Sequence, residues 1–133
     1  MTGLIIATHC NLAEELIRAC ESIIGPVSQV RAVGIRRADS VDEIRARLSG
    51  AIADVQKEDG GVLIMTDMFG GTPANLSLAF LEPGKIEVLT GVNLPMVLKF
   101  FNTPEGLSLG ERAAILKAYG QQGISQASEF LKV

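Results

Sequence analysis

The chain has 133 residues, with 12 Lys and Arg against 15 Asp and Glu, and its formal net charge is −3. Because neither sign of charge gathers into a block, a nucleic-acid-binding surface is not expected, and no run approaches the ~20 apolar residues of a membrane span. Two cysteines, Cys10 and Cys20, are too few for a disulfide framework. With no secretory leader before the first apolar run, the sequence predicts a cytoplasmic protein with one domain over residues 1–133.

The first third of the chain predicts two strands separated by a helix. Leu4 to Thr8 is an apolar run without alternation, as expected for a parallel strand buried on both faces. Asn11 and Glu14 predict a capping box at the start of the following helix, and Gly25-Pro26 predicts its end. Val30 to Ile35 is less apolar, so it predicts a second strand nearer an edge of the sheet.

The middle of the chain repeats this alternation. Ser40 and Glu43 predict a second capping box before an amphipathic helix. Val62 to Thr66 is the strongest strand signal in the sequence. After a double glycine, Thr72 is predicted as the N-cap of a third helix and Pro73 as its first helical residue.

The last part predicts one more strand and two helices. Lys85 to Thr90 predicts the fourth strand, Gly91 to Pro95 begins a short helix, and Ser108 with Glu111 predicts a capping box before the next helix. Ile124 to Val133 fits a weak edge strand about as well as a helical turn. The alternation as a whole predicts an α/β fold with a doubly wound, mainly parallel open sheet and helices on both faces.

Two of the predicted strands end in the same way, with a threonine followed by an ionisable residue. Thr8-His9 closes the first strand and Thr66-Asp67 closes the third. Ligands bind outside the carboxyl ends of such strands, so we expect His9 and Asp67 to meet there. A carboxylate that accepts a hydrogen bond from one imidazole nitrogen leaves the other nitrogen bare as a nucleophile toward phosphorus.

The double-glycine turn beside this pair is suited to an anion. Gly70 and Gly71 let the backbone come close, a helix starts there, and the hydroxyls of Thr66 and Thr72 can add hydrogen bonds. A Walker lysine, a G-x-G-x-x-G turn and a cluster of metal ligands are absent from the sequence, so we expect neither a metal nor a cofactor.

Each of these residues also has a structural interpretation. A lone histidine at a strand end is more often structural than nucleophilic, Asp67 by itself suits a turn, and Gly70-Gly71 suits a tight connection. Cys10 is more simply explained as a small residue in a turn than as a thiol activated by a helix N-terminus. All of these residues are predicted to lie at one edge of one sheet, and this shared position favours a functional site.

Three stretches, LIIATHCNLAEEL, VLIMTDMFGGTPANL and GVNLPM, resemble the signatures of the mannose-family IIA domain of the bacterial phosphoenolpyruvate-dependent sugar phosphotransferase system. The resemblance covers Met1 to about Leu131. It implies a sheet of four parallel strands plus one antiparallel edge strand, in a homodimer whose subunits can exchange that last strand, so that Ile124 to Val133 would gain a role.

The resemblance also implies roles for the site residues. His9 would be phosphorylated on Nε2 while Asp67 holds Nδ1, and a phosphoryl-binding site would be lined by Thr66, Gly70, Gly71 and Thr72. The donor would be the histidine-containing phosphocarrier protein, and the acceptor a separate IIB component. Any contact with the membrane would be through IIC and IID partners. The alternative is a regulatory module whose partner binding depends on His9 phosphorylation, without onward sugar transport.

The chain departs from the family pattern at two positions. Family members usually have glycine after the histidine, where this chain has Cys10, and tryptophan is common where Phe69 stands. Both residues adjoin the expected site but neither is part of the histidine–aspartate pair. The departures therefore bear on partner identity and leave the predicted chemistry as it is.

Overall fold

The computed structural model describes residues 1–57 and 59–133. Within these residues four strands and six helices follow one another in the order β1 (Gly3–His9), α1 (Leu12–Ile24), β2 (Val30–Ile35), α2 (Val41–Val55), β3 (Val62–Thr66), α3 (Thr72–Leu78), β4 (Ile86–Thr90), α4 (Leu94–Phe101), α5 (Leu109–Gln122) and α6 (Ala127–Leu131). Across the described parts of the chain, every helix falls short of the length and apolarity needed to cross a membrane.

The strands form one parallel sheet in the order β2-β1-β3-β4. β1 pairs with β2 on one side and with β3 on the other, and Ala7 lies opposite Thr66 in the β1–β3 register. The predicted α/β class is confirmed, and β2 lies at an edge as its lower apolar content indicated. Because the chain leaves β1 toward one neighbour and returns on its other side, the carboxyl ends of β1 and β3 flank the switch point of the sheet.

Helices cover both faces of the sheet because alternate side chains of each strand point to opposite sides. Leu4 and Ile6 of β1 pack with α1, α4 and α5, whereas Ile5 and Ala7 pack with α2 and α3. All four side chains are fully buried, and burying each large aliphatic chain stabilises the fold by roughly 1.5–3 kcal/mol. The central strands are thereby fixed in place, and their carboxyl ends with them.

Three helices begin at side-chain caps. Ser40 accepts a hydrogen bond from the backbone N–H of Glu43 at the start of α2, and Asn93 caps α4. Ser108 and Glu111 form the complete capping box predicted for α5, each bonding to the backbone N–H of the other. These local bonds satisfy helix N–H groups that have no partner inside the helix.

The C-terminal segment differs from one of the two expectations. Residues 127–131 form the short helix α6, and every residue from Ile124 to Val133 is exposed. The predicted antiparallel edge strand is therefore wrong for this chain among the described residues, and the helical turn is correct. An edge strand needs a partner strand for its backbone groups, whereas a helical turn satisfies them locally, here through the N–H of Phe130 bonding to the carbonyl of Gln126.

Candidate active site

His9 and Asp67 meet at the carboxyl edge of the sheet. His9 is the last residue of β1 and Asp67 follows β3, the neighbouring strand. Asp67 Oδ2 lies 2.7 Å from the imidazole Nδ1 and also accepts a hydrogen bond of 3.0 Å from the backbone N–H of His9. A single carboxylate oxygen thus holds both the ring and the main chain of the histidine.

The electrostatics of the pair decide which imidazole nitrogen carries the proton. Burial alone would raise the pKa of the Asp67 carboxyl, but the hydrogen bonds from the His9 side chain and backbone, together with the charge of His9, hold that pKa below its ordinary value. The carboxylate is therefore ionised at neutral pH and can only accept, so Nδ1 is the donor. When the ring is neutral, this arrangement leaves Nε2 without a proton.

The two partners differ in their access to solvent. The Asp67 side chain is 13% exposed, whereas that of His9 is 49% exposed. No described residue donates to or accepts from Nε2 within hydrogen-bond distance. The imidazole is therefore held by the less exposed partner, while about half of its own surface stays open to solvent.

Thr8 and Cys10 shape the turn that follows β1. The Thr8 hydroxyl accepts a hydrogen bond of 2.8 Å from the backbone N–H of Ala13 in the first turn of α1. Cys10 has φ 51°, in the left-handed region that favours glycine, and its backbone N–H donates to the carbonyl of Ile35 on β2. The residue after the histidine thus takes a conformation that explains why glycine suits this position.

The capping box predicted for α1 is wrong. Asn11 is the N-cap residue by position, but its side chain makes no capping bond. It accepts instead a hydrogen bond of 2.6 Å from the guanidinium of Arg36, while Thr8 supplies the acceptor at the helix start. Sequence reasoning gave Thr8 no such role, although a hydroxyl residue at the end of a strand, just before a helix, was the available signal.

Gly71 lies against the imidazole. A Cβ on Gly71 would be 2.9 Å from His9 Cε1 and 3.5 Å from Nε2, so any residue other than glycine at this position would displace the imidazole ring. Gly70 has φ 86°, which also favours glycine. Gly71 is the N-cap of α3 and Thr72 its first residue, one position earlier than predicted, with Pro73 still in the first turn. Helix bounds commonly differ by such a step.

Thr66 occupies a different environment from the other predicted site residues. It is fully buried, and among the described residues its hydroxyl has no hydrogen-bond partner. Asp67 Oδ1 is likewise buried without a partner among them. The structure therefore brings His9, Asp67, Gly71 and Thr72 to one place at the surface and leaves Thr66 beneath them.

Two further surface features lie beside His9. Met68 and Phe69 expose 53% and 74% of their surface and form an apolar projection next to the glycines. A cavity of about 520 Å³ opens on another side of His9, with Arg36 and Arg37 in its lining. Charged residues in a loop carry no periodic signal, so the sequence offered no way to place these arginines at the site.

Comparison with known proteins identifies a family and several relatives. The family model EIIA-man, described as the PTS system fructose IIA component, matches residues 3–117. The chain is 30% identical over 133 residues to the PTS system fructose-specific EIIA component of Bacillus subtilis (strain 168), covering 99% of this chain and 90% of that protein. It is 25% identical to the PTS system mannose-specific EIIAB component of Escherichia coli (strain K12), covering 92% of this chain but only 38% of that protein.

Solved structures show the same likeness. A crystal structure of the phosphotransferase system component EIIA from Streptococcus agalactiae superposes with a TM-score of 0.86 at 25% identity, covering 97% of this chain and 99% of that one. A mannose/sorbose-specific IIA subunit from Enterococcus faecalis gives a TM-score of 0.84 at 25% identity, covering 94% and 93%. The chain belongs to the mannose-family IIA components of the phosphoenolpyruvate-dependent sugar phosphotransferase system.

Proposed function

We propose that this protein is a phosphohistidine carrier. His9 accepts a phosphoryl group from the histidine-containing phosphocarrier protein and passes it to a IIB component for sugar uptake. The observation that carries this proposal is the 2.7 Å hydrogen bond between His9 Nδ1 and Asp67 Oδ2. This bond fixes the tautomer of the neutral imidazole, and that is the form in which histidine attacks phosphorus.

The proposed step is an in-line transfer between two imidazoles. The lone pair on His9 Nε2 forms a bond to the phosphorus as the bond from phosphorus to the donor's histidine nitrogen breaks, and the electron pair returns to the donor ring. His9 gains positive charge in this step, and the carboxylate of Asp67 stabilises that charge. Transfer to the acceptor is the same step with His9 as the leaving group, so positioning supplies most of the catalysis.

The phosphoryl oxygens are proposed to lie against Gly70, Gly71 and Thr72. The close approach of Gly71 to the ring supports this placement, because the backbone there is near Nε2. Thr66 is buried, and we propose that it acts from below, as part of the wall that positions Asp67.

The acceptor is proposed to be a separate IIB protein. The Bacillus subtilis relative, named an EIIA component, matches this chain over 90% of its own length, whereas the longer Escherichia coli relative is named EIIAB. We further propose a cytoplasmic homodimer that meets the membrane only through IIC and IID partners. Which sugar is served would be decided by those partners.

Phosphorylation in vitro tests the carrier proposal. The protein is incubated with labelled phosphoenolpyruvate, enzyme I and the phosphocarrier protein, and we expect an acid-labile, base-stable label on the wild type and none on His9→Ala. Cys10→Ser is the matched control, since it alters the neighbouring nucleophile and should label normally. Equal labelling of His9→Ala would contradict the proposal.

The exposed Met68 and Phe69 support a second candidate function, a regulatory module that binds partners according to the phosphorylation of His9. Both candidates predict the label, but only the carrier passes it on. Chasing the labelled protein with candidate IIB components separates them. Pull-downs with wild type, His9→Asp and His9→Ala that return identical partners would remove the regulatory candidate.

A further inference from the structure

The cavity beside His9 is larger than phosphoryl transfer requires. Its volume of about 520 Å³ falls within the ~300–1,000 Å³ typical of sites for small organic ligands. A transfer between two histidines needs room for one phosphoryl group at Nε2. A phosphoryl group at Nε2 would fill only part of this space.

The floor of the cavity is apolar. Ile35, the last residue of β2, and Ile44 in α2 line it and are themselves 4% and 2% exposed. Val41, the first residue of α2, lines the mouth and is 48% exposed. A ligand with a carbon body would cover this surface and remove it from water.

The charged groups of the cavity leave an excess of positive charge. The carboxylate of Asp39 is already engaged by the Arg47 guanidinium at 2.6 Å and by the backbone N–H of Arg36 at 2.8 Å. The Arg36 side chain donates to the neutral amide oxygen of Asn11. Besides the hydrogen bond from its backbone N–H, the charge of Arg36 also acts on Asp39 and helps to lower the pKa of its carboxyl. Among the described residues Arg37 forms no ion pair, so the two guanidiniums against one carboxylate leave a net positive charge for an anion.

We propose that this cavity binds a small organic phosphate monoester. The phosphate lies between the guanidiniums of Arg36 and Arg37, and the organic part lies on Ile35 and Ile44. A phosphate monoester carries close to two negative charges at neutral pH, which matches two guanidiniums better than a carboxylate does, and guanidinium binds phosphate through paired hydrogen bonds. Because His9 lines the cavity, a bound ligand obstructs the approach of a phosphoryl donor.

Methyl NMR on the unphosphorylated full chain tests the binding. Phenyl phosphate is the probe. Phenol and inorganic phosphate, which represent its organic part and its phosphate separately, are titrated as controls. We expect phenyl phosphate to shift the methyl signals of Ile35, Val41 and Ile44 in a saturable way with a Kd of about 1 mM or tighter. Each half should bind at least about tenfold more weakly, since each makes only one set of contacts.

Arginine variants assign the phosphate contact. Arg37→Gln and Arg36→Gln should each weaken phenyl phosphate by about tenfold or more, the loss expected for a charge-assisted hydrogen bond. Arg45→Gln removes the same charge from an exposed α2 position outside the cavity and should leave the Kd unchanged. A wild-type-like amide spectrum for each variant shows that the fold is retained.

Several results would overturn the proposal. Absence of methyl shifts would do so, as would shifts equally strong in Arg37→Gln. Inorganic phosphate binding as tightly as phenyl phosphate would show that the organic part contributes nothing, which would contradict a site for a phosphate monoester. If the arginine variants slowed phosphorylation while the probe failed to bind, the cavity would serve the protein partner instead.

Binding to the cavity does not depend on the proposed carrier function, but competition does. Saturating phenyl phosphate should slow labelling of wild type and leave labelling of Arg37→Gln unchanged at the same probe concentration. If neither protein is labelled, the carrier function is contradicted, while the NMR titration still shows whether the cavity binds the probe. A normal rate of labelling at saturation would show that the ligand does not obstruct His9.

Discussion

Asp67→Asn is expected to slow phosphorylation of His9 by about 10- to 100-fold while the chain remains folded. The change keeps the shape of the side chain and one acceptor oxygen, but it removes the negative charge. It also lets an amide N–H point at the imidazole, so the tautomer is no longer fixed.

The magnitude follows from the geometry of the pair. At the 2.7 Å separation of Nδ1 and Oδ2, the attraction between a carboxylate and an imidazolium is about 1.5 kcal/mol even at the dielectric constant of water. The attraction is larger where solvent is partly excluded, and the Asp67 side chain is 13% exposed. Each ~1.4 kcal/mol lost from the transition state slows the step about tenfold.

Single-turnover phosphorylation by the phosphocarrier protein, quenched at short times, measures this rate, and ¹⁵N NMR of the imidazole reports the tautomer. Asp54→Asn is the matched control, because Asp54 forms an exposed ion pair with Arg31 at 3.7 Å and should label at the wild-type rate. If Asp67→Asn is also labelled at the wild-type rate, Asp67 is only a turn residue and the reasoning fails.

Three further substitutions and one pH dependence provide additional tests. Gly71→Ala places a Cβ 2.9 Å from His9 Cε1 and should reduce the labelling rate through displacement of the ring, with little change in the thermal unfolding curve; a normal rate would mean that the backbone can move aside. Gly50→Ala, in an open position of α2, should leave labelling unchanged and raise the free energy of unfolding by about 0.5–1 kcal/mol in urea, and a destabilised variant would contradict the helix placement. Cys10→Gly should raise the free energy of unfolding by about 0.5–1 kcal/mol. Relief of the left-handed backbone (φ 51°) contributes about 1–2 kcal/mol, which exceeds the cost of the greater freedom of glycine in the unfolded chain. A lower melting temperature than that of the wild type would refute this. The folded-state pKa of the Asp67 carboxyl lies below the ordinary 3.8, so its ionisation stabilises the fold fully above pH 3.8, and this contribution is lost as pH falls through the folded-state pKa. In urea titrations over this pH range, the free energy of unfolding of Asp67→Asn should depend less on pH than that of the wild type. An equal pH dependence would contradict a lowered pKa for Asp67.

The strands and the central pair were predictable because their signals are local and strong. Val62 to Thr66 is the observed span of β3, since an apolar run buried on both faces admits few other structures. The meeting of His9 and Asp67 followed from where two parallel strands end. The prediction that both would lie at one edge needed only the order of strands, which the alternation of elements indicated.

The parts that could not be predicted depend on contacts between distant segments. The local sequence predicts Asn11 as a helix cap, yet its side chain accepts a hydrogen bond from the guanidinium of Arg36. The residues around Asn11 carry no signal for a contact with another loop. Ile124 to Val133 carries apolar residues compatible with either a strand or a helix, and only the presence of a pairing edge decides between them. Thr66 is predicted to add a hydrogen bond at the phosphoryl site, but it belongs to a strand whose side chains are buried on both faces, and its own side chain is fully buried.

Asp67 bonds to both the side chain and the backbone of His9, so the pair forms only once the chain has folded. The two residues are 58 positions apart in sequence, and the carboxylate also bonds to the backbone of β1. The imidazole therefore acquires its fixed tautomer only after β1 and β3 have paired across the intervening helix, strand and second helix, a late event for non-local parallel strands. A nascent or partly unfolded chain carries the histidine without its partner, so phosphoryl groups would be accepted preferentially by molecules that have already reached the native state.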